Sequence, residues 1–106
     1  MSEPFARTGT TLCVISLTYG EDMDAIDAAM SDHVDWLRAA YAEGRLIASG
    51  RKQPRTGGIV IAVGSRAEVE AMVSLDPFVS RGLATAEITP FTASMVALPL
   101  ADVLSE

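Results

Sequence analysis

The stretch GGIVIAVGSRAEVEAMVSLDPF, from Gly57 to Phe78, carries the local signals that decide the fold. Its β-branched run IVIAV (59–63) has the length and composition of a buried strand. The following SRAE matches a capping box, in which Ser65 accepts a hydrogen bond from the backbone of Glu68 and Glu68 reaches back to the backbone of Ser65. A helix is therefore predicted to begin here, with three inward-facing side chains: Val69, Met72 and Val73.

A second helix start follows at Asp76 and Pro77. The side chain of an N-cap Asp accepts a hydrogen bond from an unpaired backbone N–H, and Pro at the first helical position loses no hydrogen bond. A carboxylate fixed at such a junction is also well placed to orient a histidine, and the chain has one, His33. The pattern leaves three interpretations of Asp76 open: a cap, half of a catalytic pair, or both.

Upstream of this stretch, the sequence predicts a strand followed by a long helix. The strand is TLCVISLTY, Thr11 to Tyr19, which is rich in β-branched and aromatic residues. The helix runs from Asp22 to Glu43, and Gly44 stands where a left-handed C-terminal cap belongs. The apolar face of this helix follows steps of three and four residues: Ile26, Met30, His33, Leu37, Ala40 and Tyr41.

The remaining segments complete a β-α-β-β-α-β order. RLIAS (45–49) is a short strand, and GRKQPRTGG (50–58) is a polar, turn-rich connection. A last strand is predicted from Thr85 to Phe91, with a continuation through TASMVAL (92–98). This order is typical of the α+β ferredoxin-like fold, in which two helices cover one face of a four-stranded antiparallel sheet.

Length and composition limit the chain to one domain and exclude several classes of partner. A chain of 106 residues is long enough for one domain, here 1–106, with a flexible N-terminus at 1–9 and a core at 11–98. No apolar run approaches the roughly 18 residues of a membrane span, and the first ten residues lack the apolar core of a signal peptide. A cytoplasmic protein without membrane contact is expected. A net charge of −6 and 6% aromatic residues also argue against nucleic acid as a partner.

Apolar side chains on both faces of the predicted strands indicate a homodimer. A sheet that is apolar on both faces must be buried on both, and two helices cover only one. We expect the second face to pack against the same face of another subunit, with assembly beyond a dimer left open. The side chains of this second face include Leu12, Val14, Ile59, Ile61 and Val63.

His33 also has two interpretations. It is either a core histidine whose ring nitrogens bond backbone or water, or a residue lining a pocket where imidazole carries protons near neutral pH. Sequence spacing cannot bring His33 and Asp76 together, so only the fold decides. Trp36, one turn later, lines the pocket or fills the core, and the core is preferred; Phe78 has the same two interpretations. Cys13 stands alone and is interpreted as a buried thiol that packs as a small hydrophobic residue.

The stretch from Asp32 to Phe91 resembles the YCII family, also called YciI-like proteins. The resemblance rests on an ordered set: a His in the first helix, L…EGRLIASG, GGIVIAVGSRAEVEAMVSLDPF and the closing AEITPF. It implies ferredoxin-like dimers of the α+β barrel type and a catalytic His–Asp pair in a pocket, here His33 and Asp76. A hydrogen bond from the His33 ring to Asp76 would select the ring tautomer. One carboxylate oxygen of Asp76 would then cap the helix, and the other would accept from the imidazole. Many members have Gly-Pro after the second strand, whereas Gly50 is followed here by Arg51, so the substrate need not be shared.

The chemistry that these residues support is proton transfer without a cofactor. The sequence has no metal-ligand cluster, no nucleotide fingerprint and no nucleophile elbow, and PRTGG lies between strands rather than opening a helix. A His–Asp pair suits proton abstraction and return on a small activated ring or carbonyl compound. The resemblance implies a lyase or isomerase, since one branch of the family resembles a dehydrochlorinase of a chlorinated hydroxyquinol and muconolactone isomerases share the related fold. The alternative is a non-catalytic dimeric binding or accessory protein, whose apolar C-terminal segment docks on a partner.

The only basic cluster of this acidic chain follows the second predicted strand. It consists of Arg51, Lys52 and Arg55 and is either a solvated hairpin loop or an anion-binding group at the pocket mouth. Arg51 is the preferred anion-binding residue, because it directly follows the strand. By position, Ser49 is a further candidate for substrate binding. The expected ligand is therefore an unidentified small molecule, with an anionic group if Arg51 contributes.

Overall fold

The computed structural model describes residues 3–104, which form six strands and three helices within that range. The strands are β1 Phe5–Arg7, β2 Thr11–Tyr19, β3 Leu46–Arg51, β4 Gly57–Val63, β5 Ala84–Thr92 and β6 Met95–Ala97. The helices are α1 Met23–Ala42, α2 Arg66–Val73 and α3 Pro77–Ser80, and a short 3-10 turn at Leu98–Leu100 follows β6.

A four-stranded antiparallel sheet in the order β3-β4-β2-β5 forms the centre of the fold. The first and last strands of the β-α-β-β-α-β unit, β2 and β5, are neighbours, with Ile15 directly opposite Ile88. On its other side Ile15 pairs with Val60 of β4. This arrangement confirms the ferredoxin-like fold predicted from the order of the elements.

One face of the sheet packs beneath the helices and forms the main core. Along β2, Cys13, Ile15 and Leu17 all point to this face and are fully or almost fully buried, as the alternation of a strand requires. Burial raises the pKa of the Cys13 thiol, because a low-dielectric surrounding disfavours the charged thiolate. This agrees with the interpretation of Cys13 as a buried, uncharged thiol. The predicted inward side chains of α2 are also buried here: Val69, Met72 and Val73.

The opposite face of the sheet is covered at one end, where Leu12 is buried in a small cluster with Ala93 and Leu104. Val14, Ile59 and Ile61 are half-buried on this face, and Phe91 at its edge is 44% exposed. The predicted division of apolar side chains between the two faces is therefore observed. We call this surface the open face; it comprises the outward side chains of β2, β3, β4 and β5.

Local capping signals in the sequence determine where the helices begin and end. Asp22 caps α1 by accepting from the backbone of Ala25 at 3.0 Å, and Gly44 follows that helix with a φ of 74°. The capping box at the start of α2 is present in both directions between Ser65 and Glu68. None of the helices formed by the described residues is long and apolar enough to cross a membrane.

The prediction that Tyr41 lies on the buried apolar face of α1 is wrong. It is 41% exposed, whereas the neighbouring Ala40 is 4% exposed. Because successive helical residues are rotated by about 100°, only one of the two adjacent residues reaches the core. The Tyr41 hydroxyl instead hydrogen-bonds to Ser49 at 2.8 Å.

The two ends of the described chain meet in a small second sheet. β1 pairs with β6, with Ala6 opposite Val96, so the N-terminal segment predicted to be flexible contains a strand. The last strand ends at Thr92 instead of continuing through residue 98, and β6 belongs to this separate sheet. The parts of the predicted domain at residues 1–2 and 105–106 lie outside the described range.

Candidate functional site

His33 and Asp76 form a buried hydrogen-bonded pair between α1 and α3. His33 Nδ1 lies 2.8 Å from Asp76 Oδ1, and the two residues are 8% and 0% exposed. Asp76 is the N-cap of α3, which begins with Pro77. The fold therefore brings together the two residues whose contact could not be deduced from sequence spacing. Because a carboxylate oxygen accepts, Nδ1–H is the donor and the neutral ring carries its lone pair on Nε2.

The two hydrogen bonds of the Asp76 side chain share one carboxylate oxygen. Oδ1 accepts from His33 and also from the backbone N–H of Phe78 at 3.1 Å. Oδ2 is buried and has no hydrogen-bond partner among residues 3–104. The expectation that one oxygen caps the helix while the other bonds the imidazole is therefore wrong. The Phe78 ring stacks on the imidazole that shares this oxygen with the Phe78 N–H.

Aromatic contacts fix the plane of the imidazole. The Phe78 ring lies parallel to it, with centroids 4.1 Å apart and an interplanar angle of 10°. Trp36 stacks at 5.9 Å and 27°, and its indole N–H donates to the carbonyl of Met72 at 3.1 Å. Trp36 packs against the main core and does not line the cavity described next. Its contacts agree with the preferred core interpretation.

His33 lines a cavity of about 290 Å³ between α1 and the sheet. Nε2 of its ring has no hydrogen-bond partner among the described residues. It is also not fully buried, unlike the unpaired Oδ2 of Asp76. A molecule in the cavity can therefore reach this nitrogen. The walls are mainly apolar and include Leu17, Met30, Val34, Leu37, Val60 and Phe78.

The two residues predicted to bind substrate lie at the β3 side of this cavity. Ser49 and Arg51 both line it, together with Gly50 between them. The Ser49 hydroxyl already bonds to that of Tyr41 at 2.8 Å. Within residues 3–104, the side chain of Arg51 has no ion-pair or hydrogen-bond partner. Arg51 is thus the cation of the basic cluster that is free to meet an anionic ligand.

The other two members of the basic cluster are engaged elsewhere. Lys52 donates to the Thr18 hydroxyl at 3.3 Å. Arg55 pairs with Asp27 of α1 at 2.8 Å. The hydrogen bond to Asp27 is the main cause of a raised pKa at Arg55, with smaller contributions from the charge of Asp27 and from Tyr19. Neither residue lines the cavity.

Tyr19 is a cavity residue that the sequence did not single out for function. It ends β2, and its ring meets that of Phe78 edge to face at 5.7 Å and 84°. The available signal was the alternation of β2, which puts Tyr19 on the same face as Leu17. That signal gives the face of the sheet on which Tyr19 lies, but it does not indicate that a cavity is present at this end of the strand.

The site as a whole is suited to moving a proton in a largely apolar space. Among the described residues, no group of three or more His, Cys, Asp or Glu side chains is arranged to hold a metal ion. The chemical groups at the cavity are an oriented imidazole, a phenol, a hydroxyl and a guanidinium. This set can take a proton, return it and stabilise negative charge on an oxygen.

Comparisons with known proteins agree with this architecture. The model of the YCII-related domain matches residues 11–92. A similar solved structure is the 5-chloro-2-hydroxyhydroquinone dehydrochlorinase from Burkholderia phenoliruptrix AC1100, in complex with 2,5-dihydroxybenzoquinone. The likeness has a TM-score of 0.65 and 20% sequence identity, and it covers 74% of this chain and 90% of that chain. At this identity the likeness establishes a shared fold. A search of curated proteins found no match.

Proposed function

The chain belongs to the YCII-related domain family, and from this premise we propose that it is a small-molecule lyase or isomerase that uses His33 and Asp76 as an acid–base pair. The observation that carries the proposal is the 2.8 Å bond from His33 to the buried carboxylate of Asp76, in a residue that also lines a cavity. A histidine with only a structural role would not need one nitrogen held by a carboxylate and the other open to a ligand.

In the proposed reaction, Nε2 of His33 takes a proton from the substrate. The ring then carries a positive charge, which the carboxylate of Asp76 stabilises through the Nδ1–H hydrogen bond. Stacking on Phe78 keeps the imidazole plane fixed during the transfer. Return of the proton to a different atom completes an isomerisation, and loss of a leaving group completes an elimination.

The volume and lining of the cavity support a small, mainly apolar substrate. Its volume of about 290 Å³ lies at the lower end of the range of roughly 300–1,000 Å³ seen for small-molecule sites, which fits a single ring. The similar dehydrochlorinase acts on a chlorinated hydroxyhydroquinone and binds a dihydroxybenzoquinone. Ring compounds with ionisable oxygens are therefore the first class to test.

Arg51 and Ser49 are proposed to bind the polar end of such a substrate. Both line the cavity, and Arg51 has no competing ion pair within the described range. A guanidinium at this place attracts a phenolate, enolate or carboxylate oxygen. Ser49 adds a hydroxyl that can turn from Tyr41 to the ligand.

We further propose that the protein functions as a homodimer through the open face of the sheet. Val14, Ile59 and Ile61 lie half-buried on that face, away from the end at which Leu12 is buried with Leu104. A soluble protein rarely leaves a contiguous apolar sheet face in water. A second copy of the chain supplies the same surface and covers both faces at once.

Deuterium exchange tests the catalytic proposal even while the product is unidentified. Chlorinated hydroquinols, enol lactones and cyclic enones are incubated with the protein in D₂O and followed by ¹H NMR. A base that removes and returns a proton introduces deuterium at the reacting carbon, and we expect this in at least one class. His33→Ala should slow the exchange by a factor of about 10²–10⁴.

A matched control is Arg66→Gln, which breaks an exposed 2.8 Å ion pair with Glu70 outside the site and should leave the exchange unchanged. Binding of these compounds without exchange in any class would instead favour the non-catalytic binding protein. Exchange that persists in His33→Ala at the wild-type rate would remove His33 from the chemistry.

A further inference from the structure

Tyr19 brings a phenol into the same cavity as His33, at the end of the adjacent strand. Both residues line the space, and both contact Phe78, whose face stacks on the imidazole and whose ring meets Tyr19 edge to face. The cavity therefore offers a hydrogen-bond donor as well as a base. Apolar walls around them increase the strength of any hydrogen bond to a charged oxygen, because water competes less.

Arg55 and Asp27 form a support around this phenol. The Arg55 guanidinium lies 5.7 Å from the centre of the Tyr19 ring and bonds to Asp27 of α1 at 2.8 Å. The backbone N–H of Tyr19 also donates to the carbonyl of Thr56, next to Arg55, at 2.9 Å. The connection between β3 and β4 is thus fastened both to Tyr19 and to α1. Arg55 itself does not line the cavity, so any effect it has on a ligand passes through Tyr19.

We propose that Tyr19 is a second catalytic residue, which donates a hydrogen bond to the substrate oxygen where negative charge develops, and that Arg55 is its positioning residue. The inference rests on the proposed function and deepens it, because it assigns a place to the oxygen of the substrate. It also specifies the substrate class: a ring that carries a carbonyl or ionisable hydroxyl group next to the carbon that loses its proton.

The proton and the electrons balance in such a step. His33 Nε2 removes a proton from the carbon beside a carbonyl, and the electrons of that C–H bond form a C=C bond. The π electrons of the carbonyl move to its oxygen, which becomes an enolate. The hydroxyl of Tyr19, whose ring lies 5.7 Å from the Arg55 guanidinium, hydrogen-bonds to this oxygen, and the imidazolium later returns the proton to the ring system.

The test uses 2,5-dihydroxybenzoquinone, a flat ring with ionised oxygens, as the probe in isothermal titration calorimetry. Tyr19→Phe keeps the ring and its packing and removes only the hydroxyl. A hydrogen bond to a charged oxygen is worth enough that we expect about ten- to a hundredfold weaker binding. Arg55→Gln should weaken binding less, and it should add nothing when combined with Tyr19→Phe, because it acts through that hydroxyl.

Controls separate this inference from the proposed function. Arg66→Gln breaks an ion pair of the same 2.8 Å length on α2 and should bind like the wild type. If His33→Ala weakens binding and Tyr19→Phe does not, Tyr19 is not the donor, while the role of His33 stands. If the wild type does not bind the probe, the proposed substrate class and the role of Tyr19 are overturned, while the exchange assay still decides the role of His33. Equal loss from Arg55→Gln in the presence and absence of the Tyr19 hydroxyl would reduce Arg55 to a general structural role.

Discussion

At Asp76, a single carboxylate oxygen accepts both the backbone N–H of Phe78 and the Nδ1–H of His33, at 3.1 and 2.8 Å. The cap and the catalytic pair are therefore not alternatives at this residue. The cap could be predicted from the Asp-Pro dipeptide, because that signal is local. The contact with His33 was implied only by a family resemblance, and no sequence pattern specifies that the two donors share one oxygen.

Substitutions at Asp76 separate the cap from the charge. Asp76→Asn keeps an N-cap acceptor and loses the negative charge, so we expect near wild-type stability but a large loss of proton-exchange activity. Asp76→Ala loses both and should lower the free energy of unfolding by at least about 1 kcal/mol, the usual worth of an N-cap. Chemical denaturation and the D₂O exchange assay measure the two effects. Full activity in a folded Asp76→Asn variant would contradict the proposed role of the carboxylate.

At the scale of the elements, the structure follows local sequence signals closely at several places. The capping box predicted at Ser65 and Glu68 is formed, and the strand from Thr11 to Tyr19 has the predicted bounds. The error at the end of β5 is instead a tertiary effect. There Ala93 is buried against Leu104, and the chain leaves the main sheet to pair with β1. Apolar composition alone does not reveal such a change of partner.

Gly57 is predicted to be intolerant of substitution because two strands approach closely there. A Cβ at this position would lie 1.7 Å from the carbonyl oxygen of Leu17. Gly57→Ala should therefore lower the free energy of unfolding by at least about 2 kcal/mol through overpacking. Gly50→Ala is the matched control, since a Cβ there meets nothing within 4 Å, and thermal denaturation compares the two. Equal stabilities of the two variants would contradict the close approach.

The capping box at the start of α2 should make the stability of the fold depend on pH in the acid range. The pKa of Glu68 is lowered, first by the backbone N–H of Ser65 and then by its hydroxyl. The ionised carboxylate thus contributes stability above the ordinary pKa of Glu, and that contribution is lost as pH falls through the lowered folded value. Glu68→Gln cannot ionise, so its melting temperature should fall below that of the wild type at neutral pH and equal it in acid. A difference between the two proteins that does not change with pH would contradict this role.

At the scale of the whole molecule, the order of the elements predicted the fold, and apolar side chains on both faces of the strands predicted a sheet face that the helices do not cover. The pattern gives the two faces of each strand directly, because side chains alternate with a period of two. It does not give the cavity, because Tyr19 and Arg51 line it together with residues of α1 that are distant in sequence. The fold was thus predictable from sequence to a greater extent than the full composition of the site.

Assembly through the open face is tested by a charge at its centre. Ile61 is half-buried in the middle of β4, and Ile61→Lys would leave an unpaired charge in a dimer interface. We expect a dimer for the wild type and a folded monomer for this variant in sedimentation velocity at micromolar concentration. Ala67→Lys, on the exposed side of α2, adds the same charge and should remain dimeric. A monomeric wild type would contradict the proposed interface.

The most direct measurement of the central claim is ¹⁵N NMR of the single histidine. His33 is the only histidine of the chain, so the ring resonances need no assignment by mutation. At a pH where the ring is neutral, we expect the proton on Nδ1, held by Asp76, and a lone pair on Nε2. The ¹⁵N resonance of Nε2 should shift when 2,5-dihydroxybenzoquinone is added. A proton on Nε2, with no response to the ligand, would contradict an acid–base role for the pair.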